Sequence, residues 1–383
     1  MSKANGSNAP RIDAAEILDG IRSWVEVETP STDAAAVNVL VETVCRDLAA
    51  LGAEVERVPG RDGKGDHIRA RSPWGGDQPG ILLVSHLDTV WEKGTLKRKP
   101  FKRDGDKVYG PGIYDMKSGG YLGFYVYRHL VRQARETKLP VTFLFMADEE
   151  IGSPTSRALI EETAKRAKYA LVLEPGRPNG GVVTARKAVG RFDLEVTGVA
   201  AHAGANHELG RSAVAELARQ IVALEAMTDY QRGITVNVGV ASGGTVGFAN
   251  VVPASARAEI DFRAPDEATS AEVVRRIEGL KPIGPDVSLR IAGGVNRPAF
   301  IRTEEVAALY GHAKDLAAEI GLELPEVLTG GGSDGNFTAA VGVPTLDGLG
   351  AVGAGAHAEH EHILYSSLEP RAKLLLRLLE TLD

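Results

Sequence analysis

Cysteine is almost absent from this chain. Cys45 is the single cysteine among 383 residues, so no disulfide can form within the chain. Cys45 lies among Val41, Val44 and Leu48 at helical spacing. That pattern predicts a small residue on the buried face of a helix, because a catalytic thiol needs a nearby base and some exposure.

The sequence also lacks long hydrophobic runs and an excess of basic residues. No stretch of about 18 apolar residues occurs, which argues against a membrane span. The N-terminal segment MSKANGSNAPRIDAAEILDG has no apolar signal-peptide core. We therefore expect a cytoplasmic protein, or a periplasmic or secreted one if a native signal has been removed. The formal net charge of −7 argues against a nucleic-acid partner, which would favour a basic patch.

Helical and strand-like segments alternate along the first half of the chain. Apolar residues at helical spacing predict helices over 13–28 and 33–51, with further helices near 118–135 and 153–166. Short apolar runs predict strands at 81–85, 141–147 and 169–173. Since buried strands alternating with helices are typical of a mixed or parallel sheet, we predict an α/β domain.

A different pattern begins near residue 188. It predicts strands at 192–197, 235–240 and 256–262 that interleave with helices at 211–226 and 266–279. This order suggests an α+β unit of the ferredoxin-like type. Helices resume at 303–320 and 368–382. We therefore predict a mixed-sheet α/β domain formed by residues 1–187 and 299–383, interrupted by an inserted α+β domain at 188–298.

Acidic and histidine residues follow the predicted strands directly. Open α/β sheets place their ligands beyond the carboxyl ends of strands, so these residues are candidates for one site. Considered alone, each of these residues has an ordinary alternative interpretation, such as part of a solvated acidic loop or a polar residue at a strand end. The residues are His86 and Asp88, Asp115 after a glycine-rich turn, Asp148-Glu149-Glu150, Glu174, and His357 with His360 and His362 close behind.

Together these side chains make a ligand set for metal ions. Imidazole and carboxylate are ligands that zinc uses in proteins. One early histidine, three carboxylates and one late histidine give five ligands. That number exceeds what one tetrahedral zinc with an open position can use, so two metals that share a bridging carboxylate fit better. Two residues apart on an extended segment, His86 and Asp88 would point the same way, so that one binds metal while the other orients the imidazole.

At these motifs the chain resembles the acetylornithine deacetylase, succinyl-diaminopimelate desuccinylase and carboxypeptidase family of dinuclear zinc hydrolases. It looks most similar to the bacterial glutamate carboxypeptidases. The resemblance extends from about residue 30 onward. It is carried by the segments SHLDTV at 85–90, YGPG at 109–112, DMK at 115–117, DEEIG at 148–152, EP at 174–175, AHAG at 201–204 and GGGSD at 330–334.

The resemblance implies roles for these residues and two Zn²⁺ ions per subunit. Asp115 would bridge the metals, His86 and Glu174 would complete one, and Glu150 and His357 the other. His360 and His362 remain alternatives for the last ligand. Glu149 would be the general base, Asp88 would orient His86, and the peptide bond after Asp115 would be cis.

The resemblance also implies that the inserted domain serves as a lid and a dimerisation domain. His202 would reach across a homodimer to stabilise the oxyanion in the partner's active site. Asn250, Arg263 and Arg297 would hold the substrate carboxylate, since a guanidinium fork matches a carboxylate. The alternative interpretation of Asn250 is an ordinary turn residue. For Arg263 and Arg297 the alternative is a surface salt bridge. An extra histidine, His207, has no assigned role.

The predicted function is therefore cleavage of an amide bond to a C-terminal amino acid, in folate or N-acyl-glutamate type substrates. A water held between the metals would attack the carbonyl, with Glu149 as general base. Deacylation of N-acyl amino acids and cleavage of dipeptides are alternatives that use the same machinery. A non-catalytic binding relative is a further alternative, but such a chain should have lost Glu149 or a metal ligand.

Overall fold

The structure, a computed structural model, describes residues 11–383. Residues 1–10, which form part of the N-terminal segment discussed above, lie outside the described residues. Two compact units divide the chain. Unit 1 comprises the described residues up to Thr184 together with Arg302–Leu328 and Ser333–Asp383, and unit 2 comprises Ala185–Ile301 and Thr329–Gly332.

The helices follow the predicted periodicity closely. They are α1 (Ala14–Val25), α2 (Ala34–Ala50), α3 (Thr95–Arg98), α4 (Ser118–Arg132), α5 (Arg157–Ala164), α6 (Ala213–Glu225), α7 (Glu267–Glu278), α8 (Glu304–Glu319), α9 (Gly335–Ala340) and α10 (Leu368–Thr381). Several begin at a capping side chain, as Asp13 does for α1, Ser212 for α6 and Thr303 for α8. Each cap accepts a hydrogen bond from a first-turn N–H that has no partner within the helix.

The strands among residues 11–383 are more numerous than predicted, and five of the six predicted ones are longer than predicted. They are β1 (Glu54–Val58), β2 (His67–Arg71), β3 (Gly80–His86), β4 (Lys102–Asp104), β5 (Lys107–Tyr109), β6 (Val141–Met146), β7 (Ala167–Val172), β8 (Val182–Arg186), β9 (Ala188–Thr197), β10 (Ala201–His202), β11 (Thr235–Gly243), β12 (Val251–Val252), β13 (Ser255–Ala264), β14 (Ser288–Arg297), β15 (Glu326–Thr329), β16 (Thr345–Leu346), β17 (Gly353–Ala354) and β18 (His362–Leu364).

The main sheet of unit 1 has six strands in the order β1-β2-β6-β3-β7-β16. Strands β6, β3, β7 and β16 run parallel, whereas β1 and β2 pair antiparallel at one edge. In β3, Ile81 and Leu83 pack into one buried cluster while Leu82 and Val84 pack into another, so both faces of the sheet are covered. This confirms the predicted mixed-sheet α/β fold.

The order of the three central strands is one that favours ligand binding at one edge of the sheet. The chain passes from β3 through α4 to β6 on one side, and then through α5 to β7 on the other side of β3. The chain thus changes the direction in which it adds strands at β3, and open α/β sheets commonly bind ligands beyond the carboxyl ends of the strands at such a point.

A second, antiparallel sheet of unit 1 brings the C-terminal segment to the same region. Its order is β17-β18-β5-β4, and His362 of β18 pairs with Tyr109 of β5. The loop before β18 carries His357, and the chain after β5 leads to Asp115. This pairing therefore brings together two predicted ligands that are far apart in sequence.

Unit 2 has the ferredoxin-like arrangement within itself. Its four-stranded sheet has the order β11-β13-β9-β14, and all neighbouring strands are antiparallel. Helix α6 connects β9 to β11 by way of β10, and α7 connects β13 to β14. Phe192, Phe262 and Leu217 belong to a separate core between this sheet and its helices.

No helix among residues 11–383 is both long enough and apolar enough to span a bilayer.

Candidate metal centre

His86 ends strand β3, and its imidazole is fully buried. Nδ1 lies 2.9 Å from the main-chain oxygen of Asp88, and since a carbonyl only accepts, Nδ1 carries the proton. Nε2 then faces Asp115 Oδ1 at 3.3 Å, and Glu149 Oε2 and Glu174 Oε1 at 3.9 Å each. With Nδ1 held by the Asp88 carbonyl, Nε2 is the nitrogen that faces three carboxylates, and in the neutral imidazole its lone pair would be available to a metal ion.

Asp115 lies in an irregular turn, Ile113–Lys117, between β5 and α4. The Asp115–Met116 peptide bond is cis. The two carboxylate oxygens face different imidazoles, Oδ1 towards His86 Nε2 and Oδ2 towards His357 Nε2, each at 3.3 Å. Burial alone would raise the pKa of Asp115, but hydrogen bonds from His357 and His86 outweigh it and hold that pKa far below its ordinary value. One carboxylate is therefore shared between two nitrogen ligands.

The three consecutive acidic residues after β6 have three different environments. Asp148 is buried within the protein and accepts hydrogen bonds from the Thr155 amide, the Thr155 hydroxyl and the Ser156 hydroxyl. Glu149 extends its carboxylate towards His86. Glu150 Oε2 lies 2.9 Å from His357 Nε2. The predicted division of labour between Glu149 and Glu150 is thus geometrically available, because the two side chains contact different imidazoles.

Asp88 is fully buried, but its carboxylate does not act mainly on His86. Oδ1 is 3.5 Å from His86 Nδ1, whereas the main-chain oxygen makes the shorter contact. The carboxylate instead accepts hydrogen bonds from the amides of Glu149 and Glu150, both at 3.2 Å, and from the Ser31 hydroxyl at 2.6 Å. Asp88 therefore orients the imidazole through its backbone and the Glu149–Glu150 turn through its side chain.

Glu174 follows β7 and is buried beside His86. Burial and the negative charges of Asp115 and Glu149 raise its pKa well above the ordinary value. The pKa of Glu150 is likewise raised, to about 7, by burial and by Asp115. Such shifts indicate that the carboxylates lack enough positive charge around them.

His357, not His360 or His362, contacts this cluster. Its hydrogen bonds with Asp115 and Glu150 raise the pKa of the imidazole to about 11. His360 is exposed, and His362 is buried against the Tyr109 ring with its Nδ1 on the main-chain oxygen of His360. The choice that the sequence left open is therefore resolved at the level of geometry in favour of His357.

The charge of the cluster fits divalent cations. Four carboxylates converge here, and within residues 11–383 the ion pairs of Asp115, Glu150 and Glu174 are all with histidines. Two imidazoles can carry at most two positive charges, fewer than the number of carboxylates that converge here. In addition, the buried Oε1 of Glu150 has no hydrogen-bond partner in the part of the chain that the structure describes. Buried charges need compensation, and a donor set of carboxylate and imidazole suits zinc.

The predicted oxyanion and carboxylate-binding residues all belong to unit 2. His202 is exposed on the short strand β10, and its Nδ1 accepts hydrogen bonds from the amides of Gly204 and Ala205. Asn250 is exposed, and its main-chain oxygen accepts from Ala203. Within unit 2, His202 and Asn250 thus border the same β10–β12 ribbon.

Arginines of unit 2 surround the glycine-rich segment at 329–332. Arg263 forms a two-point ion pair with Asp261, at 2.7 and 3.0 Å, and donates to Gly330 O. Arg297 is buried so close to Gly332 that a Cβ there would lie 2.8 Å from Arg297 Cδ. Arg186, which the sequence analysis did not single out, donates from Nη1 to Gly331 O at 3.1 Å.

Two further residues at the metal centre were missed from the sequence. Ser31 binds Asp88, and Glu361 accepts hydrogen bonds from the segment that carries Asp115. Ser31 precedes Asp33, the N-cap of α2, and looks like an ordinary turn residue. Glu361 lies among the histidines near the C-terminus and looks like a solvated acid. Nothing in the sequence around either residue shows that its side chain is buried against a loop that is distant in sequence.

The fold and the site together define a class of protein. Carboxylates and imidazoles at the carboxyl ends of a mixed α/β sheet, with one carboxylate shared between two histidines, are an arrangement typical of a metallohydrolase.

Comparison with known proteins gives the particular family. Residues 82–381 match the model of "Peptidase family M20/M25/M40". The chain is 32% identical to carboxypeptidase G2 of Pseudomonas sp. (strain RS-16) over 95% of its length and 88% of that protein. It is 25% identical to succinyl-diaminopimelate desuccinylase of Delftia acidovorans over 90% of its length and 92% of that protein. The chain therefore belongs to the M20 metallopeptidase family.

Solved structures agree with this fold. The crystal structure of aminopeptidase PepT from Bacillus cereus ATCC 10987 aligns with a TM-score of 0.76 at 22% identity, over 96% of this chain and 98% of that one. The family match confirms the resemblance stated from the motifs, and the chain is a metallopeptidase of this family.

Proposed function

We propose that this chain is a dinuclear zinc carboxypeptidase that cleaves the amide bond to a C-terminal amino acid, acting on folate or N-acyl-glutamate type substrates. The observation that carries the proposal is the placement of Asp115 between His86 and His357, each imidazole facing a different carboxylate oxygen at 3.3 Å. The substrate class is supported by the relative named carboxypeptidase G2, which matches nearly the whole chain.

Two zinc ions would be held by five residues. Asp115 would be shared, His86 and Glu174 would complete one position, and Glu150 and His357 would complete the other. Bound there, zinc would polarise the substrate carbonyl and lower the pKa of water towards about 7. Burial and mutual repulsion raise the pKa values of Glu150 and Glu174. Beside bound cations, these carboxylates would remain ionised.

Glu149 would move the proton. Its carboxylate faces the cluster, and its backbone amide is held by Asp88. As general base it takes a proton from the attacking water, and as general acid it returns the proton to the leaving nitrogen. A neutral amine leaves far more readily than an amide anion, so the return of the proton completes the cleavage.

Residues of unit 2 would supply substrate specificity. We assign Arg297 and Asn250 to the C-terminal carboxylate of the substrate, and His202 to the oxyanion. Arg263 would support this site while its guanidinium keeps its two-point ion pair with Asp261. A substrate without a free carboxylate would leave Arg297 without that partner and should be cleaved poorly.

The proposal is tested by a substrate panel. Zinc-loaded protein is assayed on N-acyl-glutamates, on a folate, on the corresponding glutamate amides without a free α-carboxylate, on N-acetyl and N-succinyl amino acids, and on dipeptides, each with and without a chelator. We expect chelator-sensitive release of glutamate from the first two classes only. Equal turnover of the amides would contradict the carboxypeptidase assignment.

A second candidate is deacylation of N-acyl amino acids. It is favoured by the match to a protein named succinyl-diaminopimelate desuccinylase. The same metal centre serves both reactions, so only the residues that hold the substrate separate them. In the panel above, preferential cleavage of N-acetyl or N-succinyl amino acids identifies the deacylase, and preferential cleavage of dipeptides identifies a dipeptidase.

We further propose that the protein is a homodimer assembled through unit 2. Strand β11 lies at the edge of its sheet, and unpaired edges favour pairing with another chain. Apolar side chains are exposed on α6 and after β11, among them Val222, Val246 and Phe248. Such a concentration of exposed apolar groups is typical of an interaction surface.

Light scattering after size-exclusion chromatography tests the dimer. We expect Val222→Glu to shift the protein to a monomer, because the new charge would be buried at the interface. Val39→Glu is the matched control, since Val39 is also exposed on a helix but lies in unit 1. A wild-type monomer, a dimer that Val222→Glu leaves intact, or a dimer that Val39→Glu disrupts to the same extent would each refute this surface.

A further inference from the structure

Glu361 is a fully buried carboxylate, four residues after His357, that no ordinary ion pair explains. Within residues 11–383 it forms no salt bridge, yet four N–H groups converge on it. Oε1 accepts from the amides of Tyr114 at 2.9 Å and Asp115 at 3.2 Å. Oε2 accepts from the amide of Gly112 at 3.0 Å and from the indole of Trp91 at 2.6 Å.

These bonds hold the segment that carries the shared ligand. Three of the four donors lie within Gly112–Asp115, and one of them is the amide of Asp115 itself. The segment is irregular, so its N–H groups find no partners within a regular helix. An ionised carboxylate accepts on both oxygens and donates nothing, and it is therefore the side chain best suited to four converging donors.

Glu361 is also tied to His357 through a short hydrogen-bonded turn. The amide of Glu361 donates to Ala358 O at 3.0 Å, and the amide of Ala358 donates to Gly355 O at 2.9 Å. Lys99 Nζ donates to the same Ala358 oxygen at 2.9 Å. The imidazole of His357 itself is half-exposed, so this turn, rather than surrounding core, sets its position.

We infer that Glu361 is a positioning residue that aligns Asp115 with His357 and so sets the affinity for the metal ion held by Asp115, Glu150 and His357. The inference rests on the proposed metal centre. The Glu361 carboxylate binds the Asp115 amide across 246 residues of sequence, and the position of Asp115 relative to His357 depends on that connection.

The test is Glu361→Gln, measured by metal affinity rather than by activity alone. Gln keeps the shape but replaces one acceptor oxygen with an NH₂ group that faces N–H donors. We expect affinity for Zn²⁺ or Co²⁺ at one of the two positions to fall by about 10- to 100-fold in chelator competition. We also expect the visible absorption spectrum of the cobalt-loaded protein to change, because ligand geometry changes.

Glu216→Gln is the matched control. Glu216 is another buried carboxylate, in unit 2, that accepts from the amides of Ile283 and Gly284 at 2.8 Å each. Loss of a buried carboxylate in general should lower the stability of either variant, but only Glu361→Gln should weaken metal binding. Equal metal affinity and an unchanged cobalt spectrum in Glu361→Gln would overturn the inference.

A milder variant covers the case in which Glu361→Gln does not fold. Trp91→Phe removes one of the four donors and leaves the carboxylate in place. We expect a smaller loss of metal affinity at the same position, and wild-type affinity in a folded Trp91→Phe protein would then overturn the inference. If the wild-type protein itself binds no metal, the proposed metal centre fails. If it binds two ions and both variants match it, only the role of Glu361 fails.

Discussion

At the scale of single residues, the candidate site depends on side chains that hold other groups in place. Asp88 illustrates this: its backbone oxygen accepts from His86, while its carboxylate accepts from two amides of the Glu149–Glu150 turn and from Ser31. A ligand and the candidate base are thereby fixed to one buried residue. Geometry of this kind is what proton transfer requires, because the base must be within hydrogen-bond reach of its proton.

The first prediction concerns Glu149. Glu149→Gln should retain bound metal, since Glu149 is not among the five proposed ligands, but should lose proton transfer. We expect kcat to fall by about 10² to 10⁴. Turnover and bound zinc are measured on the same preparation, with Glu162→Gln on the exposed face of α5 as the control for loss of an acid. Near wild-type kcat would mean that another group is the base.

The second prediction concerns His67, a buried histidine of β2 outside the metal centre. Its Nδ1 accepts from the amide of Ala147, and its Nε2 lies 2.9 Å from the Thr155 hydroxyl. Burial lowers the pKa of this imidazole below its ordinary value. The folded state therefore disfavours the protonated form. The stability that neutral His67 contributes is complete above about pH 6.5 and is lost as the pH falls towards the folded-state pKa.

Denaturant unfolding at pH 7 and pH 5 measures this effect. His67→Gln keeps one acceptor and one donor but does not titrate, so it should lose less free energy of unfolding between the two pH values than the wild type does. His207→Gln, on the surface of unit 2, should leave the wild-type difference unchanged. An equal pH dependence in His67→Gln and wild type would show that His67 does not contribute.

At the scale of secondary structure, helix α4 packs unusually close to the strand end that carries Glu174. A Cβ on Gly119 would lie 1.8 Å from the main-chain oxygen of Leu173, so only glycine permits this approach. Since Leu173 immediately precedes Glu174, the contact also fixes a proposed ligand. The position of α4 and the geometry of the site are therefore linked.

The third prediction follows from this contact. Gly119→Ala should lower the free energy of unfolding by about 1–3 kcal/mol through overpacking, and should also reduce activity. Gly311→Ala is the matched control within a helix, because a Cβ on Gly311 of α8 would meet nothing within 4 Å. It should raise stability by up to about 1 kcal/mol through helix propensity. If both variants unfold alike, the close approach has no energetic consequence.

Most helices and the central strands were predictable at this scale, and the short strands were not. Helices such as α2 and α8 bury one face, so their periodicity is visible in the sequence. Strands β3 and β6 are continuous apolar runs because both faces are buried. Strand β4 is a three-residue, fully exposed edge, whose residues carry no pattern. Its pairing with β5 is decided by the neighbouring chain rather than by its own sequence.

At the scale of the whole molecule, each unit has its own hydrophobic core. Phe143 and Phe145 belong to the core of unit 1, and Phe262 belongs to that of unit 2. The five proposed metal ligands all lie in unit 1. Metal binding should therefore stabilise unit 1 directly.

The fourth prediction is that calorimetry resolves two unfolding transitions and that zinc raises only one of them. A ligand at 100 times its Kd stabilises the unit that binds it by about 2.7 kcal/mol. Phe262→Ala, which removes a core side chain of unit 2, should lower the transition that zinc leaves unchanged. A single transition that shifts as a whole with zinc and with Phe262→Ala would show that the units unfold together.

By itself, the sequence determined the class of fold, the residues at the strand ends and the family. Apolar periodicity, and acidic or histidine residues directly after apolar runs, are local features that any reader of the chain can find. Only the tertiary structure decided that His357 rather than His360 contacts Glu150, that the Asp88 carboxylate accepts from Ser31, and that Glu361 accepts from Asp115. Those contacts join residues that are distant in sequence, and a buried carboxylate and a solvated one look the same until the chain has folded around them.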